Sequence, residues 1–409
     1  MTSSPSSSPR AAETSPTAVL PPFPWVGLIA LAAGTFLSVT GEMIPTGLLP
    51  EMSDSLGVTE SQIGLLVSVF AFTVVVSSTT LIHLTRRVPR HALLVGVITL
   101  LGISTGLGAL APNYELLVAT RVLGGLAHGV FWAVVGAYAG HLVPKEQLAR
   151  AVSVTIAGGT LAFVLGVPIS TALGHALGWR LAFGVLAVAM LLGAVVVWWK
   201  LPPVERDEAH AAAAGATGRD PSIVPVAIVC IAVGIIMVGH YSFYTYIAPY
   251  LIGVIGIPSG QLSILLLVYG VAGAVGLILT GSVFAKRATT GLFVALTVSA
   301  AMVSALTLSA GWLPGALVAF FLWGTAFGML PPLMQTRLLH AASPRIRDTA
   351  NAFYTTAFNT GIGGGSALGA LLLAQVGLGI LPWVYVVLAL VATLLLATDV
   401  LRTRKRATA

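Results

Sequence analysis

Glu42 stands near the middle of the first long apolar run, inside GTFLSVTGEMIPTGLLPEM (residues 34–52). A charge at bilayer depth costs about 3 kcal/mol on insertion scales. Its carboxyl must therefore face a protein interior or a water-filled cavity, or carry a proton part of the time. Pro45 and Pro50 each remove a helix hydrogen bond, and Gly41 and Gly47 loosen the adjoining turns. An acid on a broken membrane helix is suited to binding and releasing a proton during transport. A buried Glu held by a neighbouring helix is the plainer reading, and both stay open on the sequence.

Two further groups of residues could join such chemistry. Arg121 and His128 lie seven residues apart in ATRVLGGLAHGVFWAVVGAYAGH, two turns along one helix face, with Trp132 one turn further. The unperturbed pKa of histidine, about 6.5, suits proton exchange. Packing is the alternative for His128, and snorkelling to the interface is the alternative for Arg121. The second group is GHYSFYTYIAPYL, where His240, Tyr241, Tyr244 and Pro249 combine ring faces, hydroxyls and a helix break. Ring faces and hydroxyl donors suit a polyol or nucleoside site, and an interfacial aromatic belt is the competing reading. Asn359 adds a polar amide deep in FNTGIGGGSALGALL.

The elements that position these residues follow from composition. The chain is 57% hydrophobic and 8% charged, with mean hydropathy +0.97, which marks an integral membrane protein. Apolar stretches recur at about 25–50, 62–84, 91–111, 115–142, 149–174 and 179–199. After a polar break they resume at 222–252, 260–285, 289–311, 313–340, 348–374 and 379–400. The expected fold is all-α, with twelve transmembrane helices in two six-helix bundles. Residues 25–199 and 222–400 form the bundles, 200–221 a cytoplasmic linker, 1–24 a disordered cytoplasmic tail and 401–409 a basic one. The first 24 residues lack the basic and apolar regions of a secretory signal, so the first span is expected to be retained.

Basic residues fix the expected orientation. They follow spans 2 (Arg86, Arg87, Arg90), 4 (Lys145, Arg150), 6 (Lys200, Arg206, Arg219), 8 (Lys286, Arg287) and 10 (Arg337, Arg345, Arg347), and fill the tail. The alternate loops hold Arg180 and collect Glu51, Asp54, Glu60 and Glu115. Both termini are therefore expected in the cytoplasm, in a multi-pass protein of the inner or plasma membrane. The net charge of +7 alternates with loop parity, which excludes a nucleic-acid surface. Cys230 is the single cysteine, so no intrachain disulfide is possible. No G-x-x-x-x-G-K-[ST] loop, metal-ligand spacing or Ser/His/Asp set appears, so neither an enzyme nor a cofactor is implied.

Shifting the sequence by 199 residues aligns the two halves. Pro50, Gly57 and Gln62 fall on Pro249, Gly256 and Gln261, and Leu123, Gly125, Ala127 and Gly129 fall on Leu322, Gly324, Ala326 and Gly328. Each helix keeps its direction after six crossings, so the repeats are parallel. The alignment breaks where chemistry is expected: Glu42 falls on Tyr241, Arg121 on Phe320 and His128 on Phe327. The first half is expected to handle protons and the second to supply more of the solute surface.

These features resemble the major facilitator superfamily. Within its drug–proton antiporter branch, the chain is most similar to bacterial sugar efflux transporters, the arabinose and isopropyl-thiogalactoside exporters. The resemblance rests on GEMIPTGLLPEM, RVLGGLAHGVFW, GTLAFVLGVP followed by GWRLAF, GHYSFYTYIAPYL and FNTGIGGG, and runs from Trp25 to about Leu396. It implies a monomeric, proton-driven exporter of small polar solutes, most readily sugars, working by alternating access. A multidrug or purine-nucleoside exporter is the alternative. Glu42, His128 and Arg121 are expected to couple protons, and His240, Tyr241, Tyr244, Asn359 and Trp132 to bind solute. Arg86, Arg87 and Arg90 are expected to form a gating loop, although Thr85 stands where the broad superfamily motif has Asp.

Overall fold

A computed structural model describes residues 23–203 and 220–408. The expected N-terminal tail and most of the linker, including Arg206 and Arg219, lie outside the described residues, as do the side chains beyond Leu401. Twelve helices are long and apolar enough to cross a membrane, and no strand occurs among the described residues.

The first crossing is α1 (Trp25–Gly47), followed by the short α2 (Leu49–Leu56). The sequence predicts one span to residue 50, but the helix breaks at Leu48. Pro45 has no N–H for the carbonyl of Gly41, Leu48 N–H turns back onto the Pro45 carbonyl, and Pro50 opens α2. The second half repeats the device. There α9 (Ile223–Tyr244) stops before Thr245–Tyr246, and α10 (Ile247–Gly253) carries Pro249. Gly57 and Gly256 close the two short helices at φ 63° and 83°, backbone angles that favour glycine.

The remaining crossings of the first half are α3 (Glu60–Thr85), α4 (Arg90–Leu110), α5 (Tyr114–His141), the pair α6 (Leu148–Leu161) and α7 (Val167–Leu177), and α8 (Trp179–Lys200). A π-helical turn at Ala162–Gly166 joins α6 to α7. Pro168 withholds a donor from the carbonyl of Val164, and the wider turn absorbs the defect. The second half adds α11 (Leu262–Ser282), α12 (Ala288–Leu308), α13 (Leu313–Ala341), α14 (Arg347–Gln375) and α15 (Leu381–Thr408).

Glycines bring the two halves together away from the linker. Gly363 of α14 lies against Ala71 and Phe72 of α3, and Gly270 of α11 against the backbone of the π turn at Phe163–Val164. Tyr246 packs on Gly64 of α3 and donates its hydroxyl to the Ser366 carbonyl at 2.9 Å. A side chain larger than hydrogen does not fit at these places. Towards the linker end the partners part. Thr79 and Thr80 of α3 and Asn351, Thr355 and Thr356 of α14 are exposed polar residues within membrane-spanning helices. The close glycine contacts between the halves thus lie away from the linker, and exposed polar residues of both halves gather towards it.

Candidate functional site

The break in α1 creates the site. Because Pro45 cannot donate, the carbonyl of Gly41 needs another partner, and the guanidinium of Arg121 supplies it. Arg121 Nη1 donates to Gly41 O and Nη2 to Glu42 O, both at 2.7 Å, with Nε 3.5 Å from Leu66 O. The guanidinium also lies over the Phe70 ring, 4.3 Å from its centroid. Arg121 is 5% exposed and points into the bundle, so the snorkelling alternative does not hold. Its partners are backbone carbonyls, while the carboxyl of Glu42 turns to α5.

Glu42 is 4% exposed, and its Oε2 lies 3.4 Å from His128 Nε2. Its Oε1 has no hydrogen-bond partner. The donors around His128 fix the ring's proton. Trp132 Nε1 donates to Nε2 at 2.8 Å, and an indole N–H cannot accept, so Nε2 presents its lone pair. The neutral ring therefore carries its proton on Nδ1, which lies 2.8 Å from Ser38 Oγ. A carboxylate oxygen facing that lone pair is repelled, whereas a carboxyl O–H is attracted. Glu42 Oε2 and His128 Nε2 face each other at 3.4 Å, beyond hydrogen-bond length, while Trp132 occupies the one lone pair of Nε2.

The aromatic group of the second half assembles separately. His240, Tyr241 and Tyr244 are all buried near the end of α9. His240 is stacked with two rings: Phe327 at 3.4 Å and 6°, and Tyr244 at 5.1 Å and 18°. Trp323, Tyr269, Phe320 and Tyr385 close the cluster around them. His240 Nδ1 and the Tyr269 hydroxyl are buried without a hydrogen-bond partner. Tyr241 packs edge-on against both His240 and Tyr244, with centroids 5.1 and 6.4 Å apart.

Not every expected residue joins these two centres. Trp132 sits on His128 rather than among the second-half rings. Asn359 is half-buried on α14, and its amide donates to Thr355 O of the same helix at 3.0 Å. Arg86 and Arg87 are exposed between α3 and α4, and Arg90 begins α4. Sequence reasoning missed Ser38 and Phe70, whose side chains have no type-specific signal. Tyr269 could have been found, since the 199-residue offset places Phe70 on it. Glu51 and His175, 2.6 Å apart, and Arg337 and Asp399, 2.5 Å apart, are further pairs joining distant helices.

Comparison with known proteins agrees with this architecture. Residues 31–365 match the profile of the Major Facilitator Superfamily. A probable sugar efflux transporter of Mannheimia succiniciproducens is 29% identical over 368 residues, covering 89% of this chain and 91% of the relative. One of the same description from Helicobacter pylori (strain G27) is 28% identical over 375 residues, covering 90% and 94%. Among solved structures, a bacterial homologue of the human lysosomal transporter Spinster, inward-facing and unoccupied, superposes with TM-score 0.69 at 16% identity, covering 92% of this chain and 95% of that one. A D-xylose-proton symporter superposes with TM-score 0.71 at 16% identity, covering 91% and 97%. With twelve crossings and this match over most of its length, the chain belongs to the Major Facilitator Superfamily and is a multi-pass membrane transporter, not an enzyme.

Proposed function

We propose that this transporter exports small polar solutes, sugars foremost, in exchange for protons. The observation that carries the reading is the Glu42–His128 contact, where a buried carboxyl faces an imidazole nitrogen at 3.4 Å. Its relatives' descriptions support sugar efflux. The alternation of basic loops supports placing both termini in the cytoplasm and the protein in the cell membrane. The linker end is then the cytoplasmic end, and a cleft between the halves opens towards it.

The cycle uses residues 25–199 and 222–400 as two rocking bodies, joined by 200–221 and flanked by the tails 1–24 and 401–409. Solute enters the cleft from the cytoplasm, passes Asn359 and reaches the rings of Tyr241, Tyr244 and His240. After the halves rock, a proton from the outer side settles on Glu42 and favours solute release. Return to the inward state lets His128 and the cleft water take that proton to the cytoplasm. Arg121 holds the broken helix in place throughout, and Trp132 reports the proton position to the cleft. The exposed Arg86 and Arg87 and the half-buried Arg90 gate the cytoplasmic side. Coupling requires only that solute and proton bias the same equilibrium in opposite directions. One chain contains both centres, so a monomer suffices.

A second reading, export of purine nucleosides or other flat drugs, is favoured by one observation: the ring stack on His240 is one aromatic thickness deep. Purified protein in liposomes, with labelled sugars, nucleosides and dyes under an imposed pH gradient, separates the two. Sugar driven uphill by the gradient supports the first reading. Gradient-driven flux of nucleosides or dyes alone replaces it with the second.

A further inference from the structure

The ring of Phe327 covers one face of an imidazole whose Nδ1 has no hydrogen-bond partner. His240 is 1% exposed, and its Nδ1 finds no donor or acceptor. A buried polar nitrogen left unpaired destabilises the fold until a partner reaches it. Phe327 lies flat on the imidazole, with ring centroids 3.4 Å apart and planes 6° apart, and Tyr244 stacks on the same imidazole at 5.1 Å. Phe327 itself is only half-buried, unlike Trp323 and Phe320 on the same helix. Of the rings stacked on His240, it is the one open to movement.

The backbone beneath Phe327 is built to move. Pro331 and Pro332 lie inside α13 and have no N–H to return to the carbonyls of Phe327 and Gly328. The Pro331 carbonyl is instead tied to α14 by the Tyr354 hydroxyl at 3.0 Å. Gly328 presses against the backbone of Gly273 in α11, where no side chain fits. A helix pinned at Gly328 and freed of two successive hydrogen bonds beside it can swing its Phe327 ring at small cost.

We propose that Phe327 is a shutter over His240, occupying the slot that the ring of a transported solute takes, and so determines which solutes enter. This rests on the exporter reading and names its solute chemistry. The slot accepts a ring with one apolar face, such as a pyranose. The apolar face replaces Phe327 against the imidazole, and an exocyclic hydroxyl that reaches past the ring edge into the imidazole plane satisfies His240 Nδ1.

Carbethoxylation of His240 by diethyl pyrocarbonate, followed by peptide mass spectrometry with the exposed His83 and His340 as internal references, tests the shutter without any transport assay. Phe327→Ala is expected to raise the His240 rate at least tenfold over wild type. Phe327→Leu, which keeps bulk but lacks a flat face, is expected to raise it about threefold. Phe320→Ala removes a ring of the same cluster that does not stack on His240, and is expected to leave the rate within twofold. Equal rates in wild type and both Phe327 variants, or an equal rise in Phe320→Ala, overturn the proposal. Isopropyl thiogalactoside is expected to protect His240 in Phe327→Ala. A fast rate with no protection by any sugar leaves the shutter standing and overturns the sugar reading instead.

Discussion

The same position in the two halves carries opposite chemistry. In the first half, Glu42, Arg121, His128 and Phe70 form a charged cluster around a broken helix. Shifted by 199 residues, they become Tyr241, Phe320, Phe327 and Tyr269, which form part of an aromatic cluster around His240. Even the packing is shared: Arg121 lies over Phe70, and Phe320 packs on Tyr269 with centroids 5.0 Å apart. One scaffold position therefore holds a charged cluster in one repeat and an aromatic one in the other. On the proposed function, the symmetric frame lets the halves rock and the asymmetric filling gives each half a different cargo.

The largest expected effect separates the two halves by stability. Arg121→Leu leaves the Gly41 and Glu42 carbonyls without their buried partner, and at about 1–3 kcal/mol for each orphaned acceptor should destabilise the protein by about 2–5 kcal/mol. Its repeat mate, Phe320→Leu, should cost about 1 kcal/mol, because it only thins an apolar contact. Thermal unfolding of both variants in detergent checks the difference, and equal losses would break the comparison. Next comes Trp132→Phe, which deletes the donor to His128 Nε2 at a cost of about 1 kcal/mol. It should lower the solute gradient reached at a fixed pH gradient about fivefold, with solute affinity unchanged. Tyr241→Phe should do the reverse, weakening solute binding about two- to tenfold in a titration while uphill transport persists. The smallest effect is expected for Asn359→Ala. Its amide already bonds within its own helix, so affinity should change less than about threefold.

Much of the architecture was legible because hydropathy and loop charge are strong signals. All twelve expected spans correspond to described helices within a few residues. The exceptions are spans 1 and 7, whose ends split at Leu48 and at Thr245–Tyr246, where proline chemistry overrides an unbroken apolar run. The pairing of Glu42 with His128 was less legible. Sequence spacing places His128 on a helix face, but the meeting of α1 with α5 is a tertiary event. Nor could the sequence show that Pro45 strands the Gly41 carbonyl and that Arg121 answers it. The aromatic cluster was half legible: the offset that pairs His128 with Phe327 predicts a ring there, and not that the ring would lie on His240.

The central claim is that a single proton shared by Glu42 and His128 drives the carrier, and Glu42→Gln in liposomes tests it most directly. With equal solute on both sides and no pH gradient, exchange of labelled for unlabelled sugar should continue at a rate near that of the wild type. With a pH gradient imposed, the variant should build no solute gradient at all. A Glu42→Gln protein that concentrates sugar as well as the wild type would contradict the account.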